Sequence, residues 1–167
     1  LDPGNPGSAT VEGAYQGIGV RTAGTTAELQ VAGRGGVDSD AEAVVLNVTV
    51  TGAQGPGYVT VFPCGSPVPN ASNINFVAGV TIPNLVISKI GVGGQVCVFT
   101  STNIHLIADV SGFYPNGAGY ESLVPGRLMD TRSPGSATVD GQFQGIGLRT
   151  AGSTTQLQVP NAGGGAA

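Results

Sequence analysis

An internal repeat constrains the fold of this chain more than any other feature of the sequence. Residues 2–31 match residues 130–159, an offset of 130 − 2 = 128, and most aligned positions are identical. Substitutions are conservative, as where Tyr15 stands opposite Phe143. Because this period is longer than the roughly 20 to 50 residues of solenoid repeats, each unit should be an independent domain.

The boundary between the copies shows which part of the repeat is duplicated. The second copy is preceded by YESLVPGRLM, Tyr120–Met129, which we term the opening segment, and in the first copy only Leu1 has a counterpart in it. The first module is therefore expected to lack its opening segment, unless that segment lies upstream. We predict a β-sandwich module over 1–116, and a linker with the N-terminal part of a second repeat over 117–167.

Composition favours a globular all-β protein. Apolar residues make up 40% of the chain and charged residues 10%, and 29 glycines with 11 prolines separate short apolar runs. This profile is typical of many strands joined by tight turns. A net charge of −4 without a basic stripe argues against a nucleic acid partner, and no segment is apolar enough for membrane insertion. The chain shows no charged and apolar leader, so an export signal would have been removed or lie outside it.

Alternating apolar residues predict the strands. In AEAVVLNVTVTG, from Ala41, one face would carry Val44, Leu46, Val48 and Val50. Further β-branched or aromatic runs are AELQV, YVTVFPC, SNINFVAG, NLVISKIG, QVCVFTS, IHLIADVSGFY and TQLQV, the last over 155–159. The spacing predicts an antiparallel β-sandwich or jelly-roll-like fold of about eight strands; one sheet closed on itself is the alternative.

The two cysteines lie in strands that could pair. If Cys64 lies opposite Cys97, Phe62 falls opposite Phe99, so a common register predicts a cross-strand disulfide flanked by an aromatic pair. Such a bond would contribute about 3 to 4 kcal/mol by the loop-entropy estimate. Two reduced, buried cysteines are the alternative, and the pair lacks the spacing of a zinc site.

The residues needed for catalysis are mostly absent. His105 is the only histidine, and in an extended strand it lies about 13 Å from Asp109, too far for a hydrogen bond. An acidic cluster could offer oxygen ligands to calcium, although a solvated loop is the preferred interpretation; its members are Asp38, Asp40 and Glu42. We therefore expect no catalytic residue, no cofactor and no enzyme activity.

Several motifs together resemble a known family. PGRLMDTR, AVVLNVTVTGAQGPGYVTVFPCG, SNINFVAG, IPNLVISKIG and HLIADVSGFYP, in this order, are similar to a module widespread in secreted and cell-surface proteins of Actinobacteria, where it recurs in tandem or beside hydrolase domains. The resemblance covers nearly the whole chain and implies an extracellular or cell-surface location, but no reaction. The first copy departs from it, because LDPGNPG replaces MDTRSPG and Arg132 has no counterpart there.

Two functions compete on these grounds. The first is a non-enzymatic extracellular structural or adhesive repeat module that forms a fibre, stalk or surface layer, with residues 120–159 of one chain donated to a neighbouring module. The partners would be homo-oligomer subunits or neighbouring repeats. The second is a carbohydrate-binding module that anchors a secreted protein to cell-wall or extracellular polysaccharide; its stacking platforms would be Tyr15, Tyr58, Tyr114 or Tyr120. A hydrolase would need Asp109 paired with another acid.

Overall fold

A computed structural model describes residues 10–132 and 137–157. The chain divides into two compact units, which are described separately: unit 1 is Leu1–Val68 with Ser72–Val124, and unit 2 is Pro69–Ala71 with Pro125–Ala167. The chain stays packed on unit 1 beyond its last strand, up to Val124. There the ring of Tyr120 stacks on Tyr114 with centroids 4.3 Å apart.

The described residues form seven strands, all in unit 1. They are β1 Thr25–Gln30, β2 Ala43–Thr51, β3 Gly57–Pro63, β4 Ile74–Phe76, β5 Ile82–Lys89, β6 Gln95–Thr100 and β7 His105–Tyr114. A three-residue 3₁₀ turn, Val92–Gly94, precedes β6. In the described ranges no helix has the length and apolar character that crossing a membrane requires.

The strands form two antiparallel sheets, which confirms the all-β sandwich. The first sheet has the order β1-β6-β3-β4 and the second has the order β5-β2-β7. One sheet closed on itself is excluded by this separation. For the predicted strand TQLQV, residues 155–157 are not in a strand, and the remainder lies outside the described residues.

The core forms where the inner faces of the two sheets meet. Val44, Leu46, Val48 and Val50 of β2 are all at most 2% exposed, as the alternation predicts. The side chains opposite them come from β3 and β6 of the first sheet and include Val59, Val61, Val96 and Val98. Burial of these β-branched side chains on one face fixes which face of β2 turns inward.

Cys64 and Cys97 form the predicted disulfide, with Cα atoms 5.0 Å apart. The predicted register is wrong by two residues: Phe62 lies opposite Cys97, and Phe99 lies opposite Thr60. A two-residue shift keeps every side chain on its face, so the hydrophobic pattern cannot distinguish the two registers. The expected Phe62–Phe99 pair across the strands is replaced by Tyr58 and Phe99, with ring centroids 5.9 Å apart.

A glycine lets the chain pass the disulfide. A Cβ atom on Gly91 would collide with the backbone of Cys64, so no other residue fits without movement. Around this point the amide of Val92 donates to the Cys64 carbonyl, at 2.9 Å, and the amide of Gly91 donates to the carbonyl of Gln95, at 2.8 Å. These contacts join the end of β3 to the turn before β6.

Candidate functional site

In the described part of unit 1, a cleft separates the two sheets along one side of the sandwich. β1 is an edge strand of the first sheet and β7 is an edge strand of the second, and a cleft of about 270 Å³ lies between them. On the opposite side, near β4 and β5, the side-chain amide of Asn84 donates to the Asn73 carbonyl, at 2.7 Å. The sheets are thus linked at one pair of edges and separated by a cleft at the other.

The cleft has an apolar floor and a polar rim. Leu29, Val31, Val37 and Leu46 line it from the core side and are all buried. Its rim includes Asp109, which is exposed on β7. Val110, the next residue of β7, also lines the cleft and is 37% exposed. An apolar floor with a few polar groups at the rim is typical of binding clefts in proteins.

The turn over residues 10–19 lies beside the cleft. Thr10 Oγ1 donates to the Ala14 carbonyl, at 2.8 Å, and the amide of Gly13 donates to the Thr10 carbonyl, at 3.2 Å. These bonds hold Tyr15 in the left-handed region, with φ 58°. An aromatic residue is uncommon in this conformation, so the turn is strongly specified.

The same turn is fixed to β1 by an aromatic ring and an ion pair. The hydroxyl of Tyr15 accepts a hydrogen bond from the Gln30 amide, at 3.3 Å, and the Arg34 guanidinium lies over the ring, 5.0 Å from its centroid. Arg34 Nε also contacts Glu12 Oε2, at 2.7 Å. Hydrogen bonds from Arg34 and from the Gly35 amide hold the pKa of Glu12 below its ordinary value.

The four tyrosines proposed as sugar platforms do not form one surface. Tyr15 has a ring covered by Arg34, and Tyr114 and Tyr120 are stacked on each other. Tyr58, 39% exposed, lies in the first sheet against Phe99. The structure therefore brings together only Tyr114 and Tyr120 of the set, and their contact covers one face of each ring.

The other predicted polar residues are dispersed. Asp38 and Asp40 are exposed in the loop before β2, and Glu42 is half-buried. No metal-binding group of three histidine, cysteine or acidic residues occurs in residues 10–132 and 137–157. His105 lies at the start of β7 with its ring close to Gly52.

Unit 2 contains a charged cluster that the sequence pattern did not reveal. The buried carboxylate of Asp130 contacts Arg132 Nη2, at 2.6 Å, and Arg127 Nη1, at 3.3 Å. The hydrogen bond with Asp130 also raises the pKa of Arg132. One signal was available, because the second copy reads Asp-Thr-Arg where the first has Asp2-Pro3-Gly4.

The same part of unit 2 pairs in parallel with the second copy of the turn. The amide of Asp130 donates to the Phe143 carbonyl, at 3.1 Å, and the amide of Gly145 donates to the Asp130 carbonyl, at 2.8 Å. Asp130 and Gln144 thereby form a parallel bridge. The chain directly after the opening segment, at Asp130 and Thr131, is thus hydrogen-bonded to residues 143–147.

Comparison with known proteins gives no identification. No family model matches the chain, and neither the curated proteins nor the solved structures include a match.

Proposed function

We propose that this chain is a non-enzymatic extracellular structural or adhesive repeat module that assembles head-to-tail into a fibre, stalk or surface layer. In this assembly, residues 120–159 of one chain add to the neighbouring module. The observation that carries the proposal is the cleft between β1 and β7, together with a partial second repeat in the same chain. An apolar cleft between two edge strands is the kind of site to which a further strand adds.

Exposed apolar side chains in unit 2 support this proposal. Leu148 is 92% exposed, whereas Val20, its counterpart in the first copy, is 40% exposed. Val139 and Ile146 of unit 2 are also exposed. Large apolar side chains gathered in one short segment favour contact with another protein surface.

The disulfide supports the extracellular location. Bonds such as Cys64–Cys97 persist in oxidising compartments and are rare in reducing ones. The similarity to modules of secreted and cell-surface actinobacterial proteins favours the same location. In those proteins the module recurs in tandem, which agrees with a repeat that contacts its own copies.

The arrangement of polar residues favours a non-enzymatic role. His105 is the only histidine of the chain, so a Ser/His/Asp or Cys/His arrangement would have to include it. It is half-buried at one end of β7, whereas Asp109 is exposed further along the strand. Both cysteines are in the disulfide, which leaves no thiol nucleophile.

Truncation tests the proposal. Two shortened chains, one ending at Asn116 and one at Val124, remove the second repeat; the longer one keeps the Tyr114–Tyr120 stack. Light scattering and electron microscopy should show polymers of the full chain and monomers of both shortened chains. Circular dichroism would check that the sandwich persists. Polymerisation of a folded shortened chain would rule out donation by the second repeat.

A further inference from the structure

The second sheet exposes large apolar side chains on the face that points away from the core. Along β5 the side chains of Val86 and Ser88 are buried, at 3% and 2% exposed. Leu85 and Ile87, which alternate with them, are 61% and 42% exposed. Since the side chains of a strand alternate between its two faces, Leu85 and Ile87 lie together on the outer face of the sheet. β5 thus carries two neighbouring apolar side chains that the sandwich core does not bury.

Strand pairing extends this apolar surface onto β2. Val45 is opposite Ile87, and Asn47 is opposite Leu85. Residues directly opposite in an antiparallel ladder present their side chains on the same face, so the half-buried Val45 adjoins Ile87 there. Ala43, the next residue of β2 on this face, is fully buried and bounds the surface. Leu85, Ile87 and Val45 therefore form one patch, which we term the outer patch, and a contiguous exposed apolar patch favours contact with another protein surface.

Two opposite charges lie on the same face, on either side of the outer patch. Lys89, the only lysine of the chain, is exposed at the end of β5, opposite Ala43. Asp109 is exposed on β7, opposite Asn47. In the described part of the chain neither of them forms an ion pair. Because Ala43 and Asn47 flank Val45 symmetrically along β2, Val45 lies midway between the two charges.

From this arrangement we infer that the outer patch binds the outer patch of a second copy of this chain, about a two-fold axis at Val45. Such an axis brings Lys89 of each copy to Asp109 of the other, so one complementary charge pair is formed twice. Leu85 and Ile87 of both copies are covered beside the axis. Within a single chain the two charges are roughly 16 Å apart, by two strand spacings across the sheet and about four residues along it. They are too far apart to pair with each other, and a second copy supplies the partner that each lacks.

This contact goes beyond head-to-tail assembly and does not depend on it. It packs one sheet face on another, which is a common arrangement of β-sheets, and it needs neither strand donation nor the second repeat. Its residues belong to β2, β5 and β7 of unit 1, although Asp109 also lines the rim of the cleft. In a fibre of head-to-tail modules, a two-fold contact of this kind would join adjacent fibres side by side, which is the step from a fibre to a surface layer.

Chemical cross-linking of the full chain tests the contact directly, because Lys89 carries the only side-chain amine of a lysine. A carbodiimide joins an amine to a carboxylate without a spacer, so it links only groups that touch. In a mixture of isotope-labelled and unlabelled chains, mass spectrometry should find a Lys89–Asp109 product that joins a labelled peptide to an unlabelled one. Glu28, exposed on β1 of the first sheet, is the internal control. It should couple at least about tenfold less, since no complementary contact brings it to Lys89.

Charge reversal tests the symmetry of the contact. Lys89→Glu gives each chain two carboxylates at the contact, and Asp109→Lys gives each chain two amines, so each variant alone repels its own copy. When the two variants are mixed, both charge pairs become complementary again. We expect the mixture to yield a product that joins the new amine at position 109 to the new carboxylate at position 89. Neither variant alone can form this product, so its appearance on mixing requires the inferred pairing.

Removal of an apolar side chain tests the outer patch itself. Leu85→Gln should lower the yield of the Lys89–Asp109 product at least about tenfold, because the lost apolar burial counts twice in a symmetric contact. Val77→Gln is the matched control, since Val77 is 60% exposed and follows β4 in the first sheet. Its yield should equal that of the unchanged chain. Circular dichroism would check that both variants keep the sandwich.

Separate outcomes would overturn this inference and the proposed function. If Lys89 couples to Glu28 as readily as to Asp109, or couples to no other copy, the face-to-face contact is wrong. Equal yields from Leu85→Gln and Val77→Gln would also exclude the outer patch. Fibres of a full chain that gives no Lys89–Asp109 product would support head-to-tail assembly and contradict the two-fold contact. A full chain that forms no fibres but gives this product would contradict head-to-tail assembly alone.

Discussion

The two copies of the repeat adopt the same turn, but the chain after the turn differs between them. Thr10 and Thr138 each donate from Oγ1 to the carbonyl four residues later, both at 2.8 Å, and Tyr15 and Phe143 both have φ between 50° and 60°. After the first turn the chain forms β1, whereas in the second copy residues 153–157 form no strand. The turn is thus determined by local sequence, while the strand depends on its pairing partner, β6.

A second difference concerns the contacts of the turn itself. Glu12 forms an ion pair with Arg34, whereas the carboxylate of Asp140, its counterpart, accepts a hydrogen bond from the amide of Gln142, at 3.0 Å. Tyr15 reaches Gln30 through its hydroxyl, which Phe143 lacks. The first turn is therefore fixed to a sheet, and the second is satisfied by bonds within itself.

Of the changes predicted here, removal of the disulfide should produce the largest difference in stability between the two copies of the repeat. Cys64→Ser with Cys97→Ser is expected to lower the free energy of unfolding of unit 1 by about 3 to 4 kcal/mol, because a bond that closes a loop of this length constrains the unfolded chain. The turn of unit 2 should be unaffected. Urea denaturation followed by amide signals from both copies would measure this. If both turns were destabilised equally, the expectation that the disulfide stabilises only unit 1 would be wrong.

Truncating one leucine in each copy tests whether the strand requires its sheet. Leu29 is buried in the core, and Leu157, at the repeated position, is half-exposed and outside any strand. We expect Leu29→Ala to lower the free energy of unfolding by about 2 to 3 kcal/mol through loss of packing and a cavity. Leu157→Ala should change it by less than about 0.5 kcal/mol. Similar losses in both, measured by denaturation, would show that the second copy is also packed.

Exchanging the aromatic residues between the copies should have a smaller effect. Tyr15→Phe removes the hydroxyl that accepts the Gln30 amide and should cost about 0.5 to 1.5 kcal/mol. Phe143→Tyr adds a hydroxyl that has no such role in unit 2, so we expect no measurable change. Thermal unfolding of both variants provides the comparison. A stability loss limited to Phe143→Tyr would be the opposite of this expectation.

Acidification should produce the smallest of these effects, a change in the stability that the first turn contributes. Because the pKa of Glu12 is lowered in the folded chain, its ion pair adds stability above the pKa of the unfolded glutamate, and this stability is lost as pH falls through the lower folded pKa. Glu12→Gln should flatten this part of the stability profile. Carboxylate chemical shifts against pH would report the titration of Glu12. An unshifted Glu12 titration would rule out the ion pair in solution.

Much of the fold could be predicted, because a strand appears in a sequence as alternating apolar and polar residues bounded by glycine and proline turns. Val44, Leu46, Val48 and Val50 lie on the buried face as expected. The register of β3 with β6 could not be predicted, since a shift of two residues leaves every face unchanged. The donation of a strand by the second repeat stays a prediction, and the cleft between β1 and β7 could not be predicted, because it depends on the order of strands distant in sequence.

The sequence alone determined the repeat, the local turns, the periodic strands and the cysteine pair, because each depends on residues near one another or on a simple period. The tertiary structure decided the register of the disulfide, the cleft between β1 and β7 and the placement of Glu12 against Arg34. These features arise from contacts between distant segments, and several arrangements satisfy the same local pattern until the strands pack.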